Sequence, residues 1–202
     1  MTTATPTIDP ADDTRNVIDM FKGMNEDIIR GEQEKRRTKM VSIALNMTHD
    51  FNKSSVLRNH SAFTGGRFIF LNRPNDQIDT REGTKRWDKR GSVGVQNYNT
   101  VEHLAITHWR ELFAALRADG YRIFAVDNTV GFDPKPVYRA DLPEKSVFVY
   151  GEEGPGIPRE IIEECDEMVY IPQQGVTPRS VNVAVAAGIV MYEYMRQHAP
   201  VE

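Results

Sequence analysis

Three glycines and a proline fall within six residues, Gly151-Glu152-Glu153-Gly154-Pro155-Gly156, directly after the apolar run SVFVY at 146–150. The run, β-branched and aromatic, predicts a short buried strand. The glycine segment can neither extend that strand nor open a helix. It has to turn, with its backbone bare enough for a ligand to approach closely. Downstream, Pro158 suits the first turn of a helix over 159–166, with Ile161, Ile162 and Cys165 on its apolar side. Met168 to Pro172 predicts a second strand, 173–179 a polar loop, and Ser180 the N-cap of a long helix through about Gln197. Two strand ends delivering two irregular loops to one place are how an α/β sheet makes a ligand site.

The rest of the chain alternates in the same way. Met40 to Leu45 and Arg67 to Leu71 read as buried strands. Between them a helix starts at Asp50 or Asn52, buries Val56, Leu57 and Phe63, and ends at Gly65-Gly66. His103 to Asp119 reads as an amphipathic helix, with Leu104, Trp109, Leu112, Phe113 and Leu116 on one face. Tyr121 to Val126 is a strand, and 131–145, with three prolines, is an extended connection. Five strands alternating with about four helices predict an α/β fold, a mainly parallel sheet flanked by helices. At the N-terminus, 1–13 has little to bury and reads as disordered. Asp13-Thr14 caps a helix through Phe21, with Val17, Met20, Phe21 and Met24 at helical spacing. The basic run Lys35, Arg36, Arg37 and Lys39 is either a solvated face or an arm touching RNA phosphates.

Composition narrows the chemistry. The single cysteine, Cys165, forbids an internal disulfide, points to a reducing cytoplasm and leaves no pair for zinc. His49, His60, His103, His108 and His198 show neither metal spacing nor a triad, so no metal is expected. No apolar stretch approaches a membrane span. A net charge of −4 means that any nucleic-acid footprint is local. The place for it is the polar stretch 72–100. Its centre (Arg81, Lys85, Arg86, Trp87, Lys89, Arg90) mixes five cations with one aromatic, which suits phosphate contact and base stacking on single-stranded RNA. The alternative is an exposed charged loop whose Trp87 packs into an apolar corner.

GEEGPGIP after a strand, followed by YIPQQGVTPRSVNVAVAAGIVMYEY, resembles motifs two and three of the SpoU (TrmH-like) branch of the SPOUT RNA methyltransferases. NKSSVLRNHSAF, with Asn52 six residues before Arg58, is similar to that family's first motif. The three motifs occur in order over about 150 of the 202 residues. The resemblance implies a C-terminal trefoil knot, a homodimer, and S-adenosylmethionine bound at the loops that end YRIFAV, SVFVYG and MVYIP. It carries cofactor binding onto Val126, Gly151, Gly154, Gly156, Ile171, Gln173, Ser180 and Val181. It carries catalysis onto Arg58, Asn52, Glu153 (in preference to Glu152), Ser180 and Asn182.

The residues themselves bear on those roles. Ser180 has a full explanation as a helix cap, whereas Asn182 is a poor helix former unless bonded locally. The helix beyond them is apolar nearly all round, so it is buried on several sides, in part between subunits. A guanidinium with a pKa above about 12 is a poor base, but it binds phosphate and stabilises a developing alkoxide. Arg58 is therefore expected to activate a ribose 2′-hydroxyl, while Glu153 orients Arg58 or the start of the last helix. The expected protein is a cytoplasmic S-adenosylmethionine-dependent RNA 2′-O-ribose methyltransferase acting on tRNA or rRNA. Its domain spans 40–202, preceded by an extension at 1–39. Two rivals are a catalytically inactive SPOUT-like RNA-binding module, and an enzyme whose glycine turn cradles a nucleotide phosphate. The second lacks the Lys or Ser/Thr that such a turn needs nearby.

Overall fold

A computed structural model describes residues 6–47, 49–73, 90–176 and 180–198. Its centre is a parallel sheet of seven strands among the described residues: β1 (Val41–Leu45), β2 (Arg67–Asn72), β3 (Val101–Ala105), β4 (Arg122–Val126), β5 (Lys135–Pro136), β6 (Ser146–Tyr150) and β7 (Glu167–Tyr170). They lie in the order β3-β2-β1-β6-β4-β7-β5. A parallel sheet is covered on both faces, which is why VSIAL and SVFVY are continuous apolar runs rather than alternating ones. Ala44, Phe68, Phe70, Phe124, Phe148 and Tyr150 point to one side, where α2 (Asp50–Ala62) and α5 (Val183–His198) pack. Ile43, Ile69, Ile123, Val147 and Val149 point to the other, covered by α3 (Trp109–Ala118) and α4 (Arg159–Glu163).

Helices α2 and α5 touch closely because small residues allow it. Asn59 Nδ2 donates to the Ala184 carbonyl at 2.7 Å, and a Cβ on Gly188 would already meet that amide at 3.2 Å. At the end of α2 the left-handed residue is Thr64, with φ 51°, not a glycine. Gly65 serves a different purpose: a Cβ there would lie 2.2 Å from the ring of His60. That ring is fully buried, 2.9 Å from the Ser42 hydroxyl, and burial pushes its pKa down to about 3. His60 is therefore a neutral core residue.

The structure departs from the sequence expectations in five respects. The helix expected from His103 begins only at Trp109, and 101–105 is instead the edge strand β3, in register with β2 from Phe68↔Val101 to Asn72↔Ala105. Stacking of His103 on Phe70, with ring centroids 5.3 Å apart, places a polar residue on the inner face and hides the strand signature. A second unforeseen strand, β5, is two residues at the far edge, where a proline costs no ladder bond. The helix expected over 16–21 is replaced by 3₁₀ turns at Pro10–Asp12 and Asp19–Phe21. Here the Asp13 carboxylate accepts from the Arg15 side chain and from the backbone N–H of Arg15 and Gly23, which folds the segment back on itself. Residues 6–13, expected to be disordered, join this fold through Thr7 N–H to the Gly23 carbonyl at 2.7 Å. The first α-helix, α1 (Glu26–Arg36), is capped by Asn25. Finally, α5 is capped by Asn182 rather than Ser180: Asn182 Oδ1 accepts from the Ala184 N–H at 2.8 Å.

Candidate active site

Strands β6, β4 and β7 are neighbours, and being parallel they end on the same side of the sheet. Their three following loops, with the entry to α5, enclose a cavity of about 510 Å³. The glycine turn forms one wall. Glu152 N–H donates to the Gly156 carbonyl at 3.2 Å and Gly156 N–H to the Glu152 carbonyl at 2.9 Å, so the turn closes on itself. Gly154 and Gly156 take φ values of 92° and 73°, and a Cβ on Gly151 would lie 2.5 Å from the Gly156 carbonyl carbon. Val126, Gly151, Gly154, Gly156, Ile171, Gln173, Ser180 and Val181 all line this cavity.

Asp127, directly after β4, latches two of the loops together. Its Oδ1 accepts from Asn128 N–H at 2.7 Å and Thr129 Oγ1 at 2.9 Å, and its Oδ2 accepts from Ile157 N–H at 3.1 Å. The available signal was its place directly after a buried strand, matching that of Gly151.

The proposed catalytic residues divide into two groups. Asn52 Nδ2 donates to Glu153 Oε1, and Asn182 Nδ2 donates to Asn52 Oδ1 at 3.1 Å. The glycine turn, the start of α2 and the cap of α5 are thereby joined through three side chains. Glu153 thus bonds Asn52 rather than Arg58, and its Oε2 is buried with no hydrogen-bond partner among the described residues. Arg58 stands apart. It is exposed, has no hydrogen-bond or ion-pair partner among the described residues, and faces an open groove of about 900 Å³ between α2 and α5. Asn52 and Asn182 line that groove, Asn182 also lines the cavity, and Arg90 lines the groove beside them. Ser180 lines the cavity without capping the helix.

Two further side chains bear on the chemistry open to the chain. Glu152, passed over in favour of Glu153, is 9% exposed and accepts from Arg73 Nη2 at 2.5 Å. The two carboxylates of the turn thus have different partners, one at the end of β2 and one on α2. Cys165 is mostly buried, its thiol donates to the Ile161 carbonyl at 3.2 Å, and burial pushes its pKa up to about 12, so it is not a nucleophile. Arg81, Lys85, Arg86, Trp87 and Lys89 lie outside the described residues.

A parallel α/β sheet with its cavity over three adjacent strand ends belongs to the class of open α/β folds that bind ligands at the carboxyl ends of their strands. The SpoU rRNA Methylase family model matches residues 39–192, and the chain belongs to that family. Over 129 residues it is 31% identical to the 23S rRNA (guanosine-2′-O-)-methyltransferase RlmB of Pseudomonas aeruginosa, covering 64% of this chain and 48% of that one. Over 81 residues it is 41% identical to the mouse tRNA (guanosine(18)-2′-O)-methyltransferase TARBP1, covering 40% of this chain and 5% of that one. The chain therefore spans less than half the length of either relative. Among solved structures, the TrmH/SpoU tRNA modifying enzyme of A. aeolicus superposes with a TM-score of 0.71 at 23% identity, over 85% of this chain and 81% of that one. The SpoU methyltransferase AviRb of Streptomyces viridochromogenes, in complex with AdoMet, gives 0.64 at 21% identity, over 82% and 60%.

Proposed function

We propose that the chain is an S-adenosylmethionine-dependent RNA 2′-O-ribose methyltransferase acting on tRNA or rRNA. The observation that carries this is the charge of the cavity. Its described lining includes the carboxylates of Asp127, Glu152 and Glu153 and no Lys or Arg. Such a site disfavours a phosphate and suits a ligand whose charge is positive, as a sulfonium is. Gly151, which has no room for a side chain, leaves backbone groups free to bond the edges of an adenine. The residues present therefore fit the cofactor, and the solved relatives bound to AdoMet support the same choice. When bound, S-adenosylmethionine supplies a transferable methyl group on a positively charged sulfur.

The chain's own residues then divide the work. Val126, Gly151, Gly154, Gly156, Ile171, Gln173, Ser180 and Val181 bind the cofactor. Asn52, Glu153 and Asn182 hold the start of α2 against the cavity. Arg58, a permanent cation, holds a substrate phosphate and stabilises the negative charge that develops on the ribose 2′-oxygen. Arg90, with Arg81, Lys85, Arg86, Trp87 and Lys89, contacts the RNA, a role supported by their composition.

The finer architecture belongs to the same reading: a C-terminal trefoil knot, and a division into an extension at 1–39 and a methyltransferase domain at 40–202. A homodimer is supported by the apolar side chains left exposed around the α2–α5 groove, Phe51, Val185, Ile189 and Tyr192, which a second copy would cover. The lone cysteine supports a cytoplasmic setting.

The decisive experiment is transfer of labelled methyl from S-adenosylmethionine to total cellular RNA, followed by nucleoside analysis. A labelled 2′-O-methylated nucleoside is the expected product. Cofactor binding by calorimetry without any transfer would favour the inactive RNA-binding module, and no binding would overturn the proposal.

A further inference from the structure

Residues 90–99 contain only two short 3₁₀ turns, Arg90–Ser92 and Val95–Asn97, with Val93 and Gly94 between them at φ values of 44° and 94°. Nothing in that segment is regular enough to fix its own position. Its position is fixed from both sides. On one side Gly91 lies on α2, where a Cβ would meet the Ser54 Cβ at 2.9 Å and the Phe51 carbonyl at 3.0 Å. On the other side α1 and its C-cap residue Arg37 grip it. Arg30 donates to the Asn97 carbonyl at 2.7 Å. Arg37 donates to the Tyr98 carbonyl at 3.3 Å and, with the same guanidinium, to the Gly66 carbonyl at 2.8 Å. The Tyr98 ring is buried with Phe21, Met24 and Ile29 of the N-terminal segment.

The consequence reaches the proposed active site. Arg90, at the head of the gripped segment, shares the groove with Asn52 and Arg58 of α2. We propose that the N-terminal extension is a brace for RNA binding. By clamping 90–99 between α1 and α2 it sets Arg90 against the helix that carries Arg58, and Arg37 is the positioning residue of the clamp. This rests on the RNA methyltransferase reading above. Arg37 suits the task because its side chain is 13% exposed and its planar fork reaches two carbonyls on different segments, which an ammonium cannot do with the same geometry.

The test uses the full chain with Arg37→Ala, Arg37→Lys and the surface variant Arg30→Ala, a cellular RNA substrate, and three readouts. These are KM for RNA against kcat, cofactor affinity by calorimetry, and amide exchange across 90–99. Arg37→Ala is expected to raise the KM for RNA by about tenfold, from two lost charge-assisted hydrogen bonds. Its kcat and cofactor affinity should stay within about twofold, because the cavity lies beyond the clamp. Exchange should quicken at 90–99 and not in β4, β6 or β7. Arg37→Lys should recover part of the KM, and Arg30→Ala should show a smaller rise without loss of folding. Faster exchange with an unchanged KM for RNA would overturn the brace. So would RNA and cofactor binding weakening together, since that marks a general loosening. An unaltered protein that neither binds nor methylates RNA would overturn the underlying function instead, and is seen before any variant is made.

Discussion

Gly151→Ala is the sharpest test of how the cavity is built. The added Cβ would lie 2.5 Å from the Gly156 carbonyl carbon, 2.7 Å from Ile157 N and 2.9 Å from Gly156 Cα. All three are backbone atoms, so no side chain can swing aside. Relief requires moving the far limb of the turn by about 1 Å, to reach the ~3.5 Å of an ordinary contact. That movement breaks the Glu152–Gly156 backbone pair and pulls Ile157 N–H from Asp127 Oδ2. Overpacking of this kind costs about 1–3 kcal/mol, and each lost bond adds about 1 kcal/mol, so a loss of about 2–3 kcal/mol survives partial relaxation. For a chain of this length that is a fall in melting temperature of about 4–12 °C. Because the displaced limb is a cavity wall, affinity for S-adenosylmethionine should fall by more than tenfold. Gly154→Ala is the control: nothing lies within 4 Å of its Cβ position, and only the strain of φ 92° is felt. It should cost about 1–2 kcal/mol with little loss of affinity. Calorimetric titration and thermal melts read both variants. A Gly151→Ala protein with unaltered melting and cofactor affinity would refute the close-approach reasoning.

Arg58→Ala should keep cofactor affinity and lose methyl transfer by about 10²–10³-fold, the usual loss for one transition-state donor, and normal single-turnover rates would remove Arg58 from the mechanism. Reversing the charges of Lys85, Arg86 and Lys89 should weaken RNA binding and flatten its dependence on salt; an unchanged salt slope would mean that these residues touch no phosphate. His60 predicts a pH dependence of stability. Its folded pKa of about 3 lies below the unfolded value near 6.5, so the unfolded chain takes the proton first as pH falls. Stability should be full above pH ~6.5 and decline towards pH ~3 at up to about 1.4 kcal/mol per unit, or roughly 2 kcal/mol by pH 5. Urea titrations at pH 7 and 5 read this, and His60→Gln should flatten the difference; an equal decline in that variant would assign the effect to other groups.

What the sequence made legible, and what it hid, follows from how far apart the determinants of each feature lie. SVFVY, VSIAL and RFIFL announce strands because burial on both faces demands unbroken apolar runs, and that information is local. Strand β3 was hidden because VEHLA owes its pairing to β2, and His103 to the ring of Phe70, neither visible from five residues. The glycine turn was legible for the same local reason as the strands. The division of labour between its carboxylates was not. Glu152 and Glu153 are adjacent in sequence and point to partners 79 and 101 residues away, Arg73 and Asn52. The cap of α5 shows the limit most clearly. Ser180 and Asn182 are both good caps by residue type, and the deciding contact is Asn182 Nδ2 to Asn52 Oδ1, across 130 residues. With its Nδ2 committed to Asn52, the Asn182 Oδ1 is left to accept from the Ala184 N–H in the first turn, and α5 starts at Val183. Thus the residue that sets the helix start is also the one that ties α5 to the helix of Arg58. Residue type alone reveals the first role, and only the folded chain reveals the second.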